Sequence, residues 1–407
     1  MKIIYSNSKK LFRIYNRGFI SRRIQEKVRR IVEDVRVFGD EAVIRYTKKY
    51  DKVKLNPKHL RISEIEISAA YQNISPDFVN SLKVIFENIK RFYTRQIKKH
   101  FKLKDSDNVC LGERYQPLHS VGIYIPAGTA PLVSTVYMTV IPAKVAGVKR
   151  IVLVSPPDKN GNINPYILVV ADLLKVDEIY RIGGAQAIAA LAFGTKSINR
   201  VDKIFGPGNL YVTEAKRQVF GFVDVDMLAG PTELVIVANR FSNTDFIVAD
   251  FKAQAEHNGG LCIIITDSRR KAREIKTELE GYNGYIVITK NLSEAFDVVN
   301  RIAPEHLEIL LKNPLRWLKR VMNASAVFLG PWTPVAVGDY IAGPSHVLPT
   351  QGTARFFSAI SIFDFMKCIH IISYSKKGLE KIKDPLARIA SLEGLKQHLE
   401  SVSIRLS

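Results

Sequence analysis

Apolar positions along residues 21–50 recur at helical spacing. Ile24, Val28, Ile31, Val32 and Val35 share one face, and Gly39-Asp40 interrupts the run. The spacing predicts a helix pair there, and further helix across residues 67–101. Near residue 118 the pattern changes. Val121–Pro126 reads as a short apolar strand ended by proline, and residues 150–155 as a second. Residues 131–148 between them read as a crossover helix, and 164–174 as another, before a strand at 178–182. Gly183-Gly184-Ala185-Gln186 then opens an alanine-rich helix. A second set begins at Glu233–Val237 and runs through a helix at 245–257 and a strand at Cys262–Ile265. It ends with a strand at 284–288 and a helix at 293–301. Apolar strands alternating with helices predict an α/β fold built on parallel sheets covered on both faces. The last forty-odd residues, including 386–399, read as helix.

The length of 407 residues supports two large units. No run of about 18 apolar residues is present, so no membrane span is expected. The N-terminus is basic but lacks an apolar core, so no signal peptide is expected either. Cys110, Cys262 and Cys368 are far apart, which argues against a disulfide framework and suits a reducing cytoplasm. A zinc site would then rest on histidine and carboxylate rather than on clustered thiolates. The net charge of +21 suggests nucleic acid at first sight. Its distribution changes that picture, because residues 1–104 carry +16 of it. Arg29, Arg30, Arg36, Lys90, Arg91, Arg95, Lys98 and Lys99 fall in helical patterns, which favours a solvated basic face over a nucleic-acid footprint.

Four places carry candidate chemistry. Gln254 and His257 are three apart at a helix end and share its face. A zinc-binding pair and an ordinary polar helix end both fit them. Pro304-Glu305-His306 sets an adjacent acid and imidazole at a turn or helix start, where the pair can do general acid–base work or simply begin a helix. Gly338-Asp339-Tyr340-Ile341-Ala342-Gly343-Pro344-Ser345-His346 reads as a glycine- and proline-punctuated loop bringing Asp, Ser and His together. Glu393 and His398 lie on the last helix, five residues apart and off one face. The dinucleotide pattern GxGxxG is absent. Gly183-Gly184 before a helix could hold a phosphate or form a plain tight turn, and Gly206-Pro207-Gly208-Asn209 is equally open.

Several long stretches together resemble one family. They are VGIYIPAGTAPLVSTVYMTVIPAKVAG at 121–147, GGAQAIAALAFGT at 183–195 and VDKIFGPGNLYVTEAKRQV at 201–219. DMLAGPTELVIVAN at 226–239, QAEH at 254–257, NRIAPEHLEI at 300–309 and AVFLGPWTPVAVGDYIAGPSHVLPT at 326–350 continue the match. The chain resembles the histidinol dehydrogenases over residues 20–407. That resemblance implies two incomplete Rossmann-like parallel-sheet domains with small helical N- and C-terminal extensions. Residues 1–20 would be the N-terminal extension, and residues 21–120 with 234–360 a discontinuous first domain. Residues 121–233 would form the NAD-binding domain and 361–407 a dimerisation tail.

The resemblance further implies a zinc ion on Gln254, His257, Asp339 and His398, orienting L-histidinol by its imidazole and amino groups. His306 would be the base of the first hydride step, and Glu305 the activator of water for the second. Thr232, His346 and Glu393 would complete the substrate pocket alongside the metal ligands. Tyr124, Gln186 and Asn209 would contact NAD. A homodimer is implied, with Glu393 and His398 acting across its interface. The product would be L-histidine, made by four-electron oxidation through the aldehyde with two NAD, in the cytoplasm. The family pattern has serine where this chain has Thr232, a longer loop than the NGGLC after His257, and a different stretch at Gln351–Phe357. Two other readings compete. A zinc hydrolase would turn over without NAD, and a basic nucleic-acid binder would leave the C-terminal motifs idle.

Overall fold

The computed structural model describes residues 1–18, 20–98, 100–127, 131–257 and 259–407. Lys99 and Asn258, the first residue of the NGGLC loop, therefore lie outside the described residues. The chain starts with strand β1 (Lys2–Tyr5) and helices α1 (Lys9–Tyr15), α2 (Arg22–Phe38), α3 (Asp40–Tyr50), α4 (Glu64–Tyr71) and α5 (Pro76–Thr94). The helical stripe of α2 is buried, and Gly39 at φ 54° turns the chain directly into α3. The helix expected across 67–101 is two helices. Ser63 and Glu66 form a capping box on α4, and Ser75 followed by Pro76 starts α5 afresh. Arg29, Arg30, Arg36, Lys90, Arg91 and Arg95 are exposed, as a solvated face requires.

Strands β2 (Phe101–Lys104) and β3 (Cys110–Pro117) come next. Then strand and helix alternate: β4 (Ser120–Tyr124), α6 (Val133–Ala146), β5 (Arg150–Val154), α7 (Pro165–Leu173), β6 (Glu178–Tyr180), α8 (Gly184–Phe193), β7 (Lys203–Phe205), α9 (Leu210–Val219) and β8 (Asp224–Val225). A second alternation follows: β9 (Glu233–Ala238), α10 (Thr244–Ala255), β10 (Leu261–Thr266), α11 (Arg269–Glu278), β11 (Tyr285–Ile288), α12 (Leu292–Ile302), β12 (His306–Leu310), α13 (Pro314–Leu318), β13 (Ala326–Leu329) and α14 (Val335–Tyr340). Strand β14 (Met366–Ser373) and helices α15 (Lys376–Leu392) and α16 (Lys396–Ser403) end the chain.

Two parallel sheets result. One has the order β6-β5-β4-β7-β8 and the other β1-β11-β10-β9-β12-β13. The α/β expectation holds. In the six-stranded sheet, parity along each strand assigns the faces. Val235, Val237, Ile263, Ile265, Leu307 and Ile309 pack toward α1 and α12. Leu234, Ile236, Cys262 and Ile264 pack toward α10 and α11. Each such side chain contributes about 1.5–3 kcal/mol when fully buried.

Contacts within this first unit, residues 1–96 and 118–365, differ from the expected domain division. Residues 21–120 were expected to join residues 234–360. Instead Val28, Ile31, Val35, Val43 and Tyr46 pack with Val152, Ile188 and Val212 of the five-stranded half. The apolar stripe of α2 finds its cover on α8 and α9. Residues 1–20 are also more than an extension, since β1 pairs with β11 at the sheet edge. The second unit, residues 97–117 and 366–407, is an antiparallel sheet β14-β3-β2 with α15 and α16. Its C-terminal segment was expected to be helical. Strand β14 was hidden because it is mostly exposed and lacks an apolar run.

Candidate functional site

Helix α12 ends at Ala303, held at φ 48°, and Pro304 prevents the helix from continuing. The chain then enters β12 at His306. The turn or helix start expected here is thus a turn into a strand, and Glu305 and His306 sit at the amino ends of β9 and β12. Both side chains are buried. Glu305 Oε2 accepts hydrogen bonds from Thr232 Oγ1 (2.6 Å) and the Glu233 amide (2.8 Å). Burial raises this carboxyl to about 7, against the pull of His306 and the two donors.

His306 Nδ1 lies 3.1 Å from the Glu233 carbonyl oxygen. A carbonyl can only accept, so Nδ1 is assigned the proton and Nε2 is the open nitrogen. Nε2 is buried without a hydrogen-bond partner. Asp339 Oδ1 stands 3.6 Å from it, and Glu305 Oε2 lies 3.6 Å from Nδ1. Burial disfavours the imidazolium, yet Glu305 and Asp339 outweigh it and raise His306 to about 9.

Asp339 sits on α14 rather than in the expected loop. Burial pushes its carboxyl up, but His306, His346 and His257 together hold it below the usual range. His346 is fixed at both nitrogens, with Nδ1 2.7 Å from the Asp339 carbonyl and Nε2 3.2 Å from Thr135 Oγ1 of α6. Burial and the neighbouring His306 and His257 keep it neutral-leaning. Gln254 is buried on α10, and its Nε2 donates to Thr232 Oγ1 at 2.8 Å. The amide carbonyl is therefore the end left for a ligand. His257 lies two residues beyond α10, exposed, with its amide bonded to the Gln254 carbonyl. Thr232, Gln254, His257, Glu305, His306, Asp339 and His346 thus converge. Their nitrogen and oxygen donors suit zinc.

Glu393 and His398 belong to the second unit. They are not on one helix, because Gly394 at φ 71° separates α15 from α16. Both are exposed. The second unit also holds Glu113, Cys368 and His370 within 4.8 Å of one another on the open sheet. His370 is 75% exposed there, and Tyr115 OH donates to Glu113 Oε2 at 2.8 Å.

Tyr124, Gln186 and Asn209 line a single cavity of about 450 Å³ with Lys27, Tyr50 and Asp51. Strand order reverses between β4 and β7, and the cavity opens at their carboxyl ends, where open α/β sheets bind ligands. Gly206, at φ 109°, lets the chain pass Tyr124, since a Cβ there would lie 2.1 Å from its carbonyl oxygen. Gln186 Oε1 is buried without a partner. Asn209 Oδ1 caps α9 through the Tyr211 and Val212 amides, which leaves its amide nitrogen for a ligand. Burial raises the Asp51 carboxyl to about 6.

Sequence reading missed several supports. Arg17 bonds Glu233 in bidentate fashion at 2.5 and 2.6 Å and also holds the Ile302 carbonyl, fixing the backbone that positions His306. Lys216 and Asp226, 2.6 Å apart and buried, clamp Gly206 by its carbonyl and amide.

The sequence model of the histidinol dehydrogenase family matches residues 16–406. A histidinol dehydrogenase of Listeria innocua is 46% identical over 410 residues, covering 97% of this chain and 95% of that protein. One from Bacillus cereus is 45% identical, covering 100% and 99%. The crystal structure of histidinol dehydrogenase from Elizabethkingia anophelis superposes with a TM-score of 0.93 at 34% identity, covering 100% of this chain and 98% of that one.

Proposed function

Because this chain belongs to the histidinol dehydrogenase family and is an oxidoreductase, we propose that it oxidises L-histidinol to L-histidine through the aldehyde, with zinc and two NAD. The observation that carries this reading is the buried His306 ring, whose Nε2 has no hydrogen-bond partner and faces Asp339 while the Glu305 carboxyl lies beside its Nδ1. Gln254, His257 and Asp339 would hold the metal, with His398 as the fourth ligand. Zinc bound there supplies a Lewis-acidic anchor for the substrate's imidazole and amine. Tyr124, Gln186 and Asn209 would hold the cofactor, and the unpaired Gln186 Oε1 suits a cofactor hydroxyl or amide. NAD supplies the hydride acceptor.

In the first step His306 Nε2 takes the hydroxyl proton as hydride leaves the carbinol carbon. The Nδ1 bond to the Glu233 carbonyl keeps the ring oriented. Water adds to the aldehyde, and Glu305, near neutrality, takes its proton. The hydrate gives up a second hydride and leaves as the carboxylic acid. Thr232 and His346 border the same space. Residues 121–233, together with Lys27, Tyr50 and Asp51, line the cofactor cavity in this reading.

Glu393 and His398 reach the site from a second copy. Ile372, Ile389, Leu392 and Ile404, all more than half exposed on the second unit, favour such a dimer. The three free thiols suit the cytoplasm, and among the described residues no helix is long and apolar enough to cross a membrane.

Two outcomes check the reading. Purified protein with L-histidinol, NAD and zinc forms about two NADH per histidinol, and a chelator abolishes this until zinc is restored. No NADH from folded, metal-loaded protein would overturn it and turn attention to hydrolysis. Glu305→Gln, which cannot take a proton from water, slows oxidation of supplied histidinal by roughly 10²-fold and alcohol oxidation far less. Equal slowing of both half-reactions removes that role.

A further inference from the structure

Glu308 is fully buried at the third position of β12. Parity places it on the same sheet face as His306, toward α10. Its Oε1 accepts from the amide of Val335 at 3.1 Å, the first residue of the helix that carries Asp339. Its Oε2 meets no amide or hydroxyl donor. What faces it is the carboxyl of Asp250 on α10, one turn before Gln254. Carboxyl oxygens bond each other only through a shared proton. Burial and the Asp250 charge both favour the neutral acid at Glu308, raising its pKa. The other groups around it are His306 on its own strand, Ile236 on β9 and Phe328 on β13, the last two uncharged.

Three elements that carry the site therefore meet at one side chain. They are β12 with His306, α14 with Asp339, and α10 with Gln254 and the path to His257. We propose that Glu308, accepting from the Val335 amide and facing the Asp250 carboxyl, is a positioning residue that sets the spacing of the metal ligands around His306. The inference rests on the zinc reading above.

The test compares Glu308→Gln with Glu308→Leu. Glutamine can accept from Val335 and donate to Asp250 without charge, so zinc affinity and kcat stay within about twofold of wild type. Leucine has a similar volume and loses both bonds, so zinc affinity and kcat fall by roughly 10–100-fold, as for other groups that orient ligands. KM for NAD stays unchanged, because the cofactor cavity lies on the other sheet. Asp250→Ala, on a partly exposed helix, gives the same zinc loss and serves if the leucine variant does not fold. Glutamine as damaging as leucine, or leucine and alanine both harmless, would overturn the proposal. If wild type binds no zinc, the functional reading fails separately. Hydrogen–deuterium exchange over residues 335–340 then decides, since leucine speeds it and glutamine does not if Glu308 holds α14.

Discussion

Replacing His306 with asparagine lowers kcat for alcohol oxidation by about 10²–10⁴-fold while histidinol and NAD still bind. Asparagine can keep the hydrogen bond to the Glu233 carbonyl, so the strand entry is preserved and the change isolates the lost base. The pH profile carries the sharper prediction. A base must be unprotonated to act. Asp339 and Glu305 stabilise the imidazolium of His306 and raise it to about 9. The rate of the alcohol step in wild type therefore rises with pH from about 7 toward about 9. A cation on Asp339 cancels part of that attraction, so the midpoint in zinc-loaded enzyme lies at or below about 9. The asparagine variant loses this rising limb. A variant that keeps the limb with only a small fall in kcat would mean that another group takes the proton.

His257→Ala loses zinc and activity together. His257 is one of the histidines beside Asp339 that hold its carboxyl low, and it is exposed. Removing it takes away one ligand without disturbing the core, so stability changes by less than about 1 kcal/mol. Metal content measured after dialysis falls to background, and NADH formation falls with it. Full activity in protein with no bound metal would remove zinc from the mechanism.

How much of this was legible depended on whether polarity and burial agreed. Glu233–Val237 and Cys262–Ile265 read as strands because buried parallel strands are apolar on both faces. β12 was missed although it has the same environment. Its sequence HLEIL puts His306 and Glu308 on one buried face, and those polar residues are what the site needs. The four-residue β1 and the exposed β14 were too short or too mixed to show a period. The metal and catalytic roles proposed for these residues came through the family resemblance. Spacing alone left Gln254 and His257 as a plain helix end. Arg17, Asp250 and Glu308 were out of reach, because each owes its role to a partner more than 50 residues away.

The pairing of β1 with β11 has a consequence in time. Lys2 pairs with Tyr285, so the ribosome makes one strand about 280 residues before the other. At usual synthesis rates that gap is on the order of 15 to 60 seconds. Throughout it, Lys2–Tyr5 and Arg17 wait beside the growing chain, and Glu233 emerges before the sheet edge can close. The residues that brace β12 are thus among the first translated and among the last to find their places.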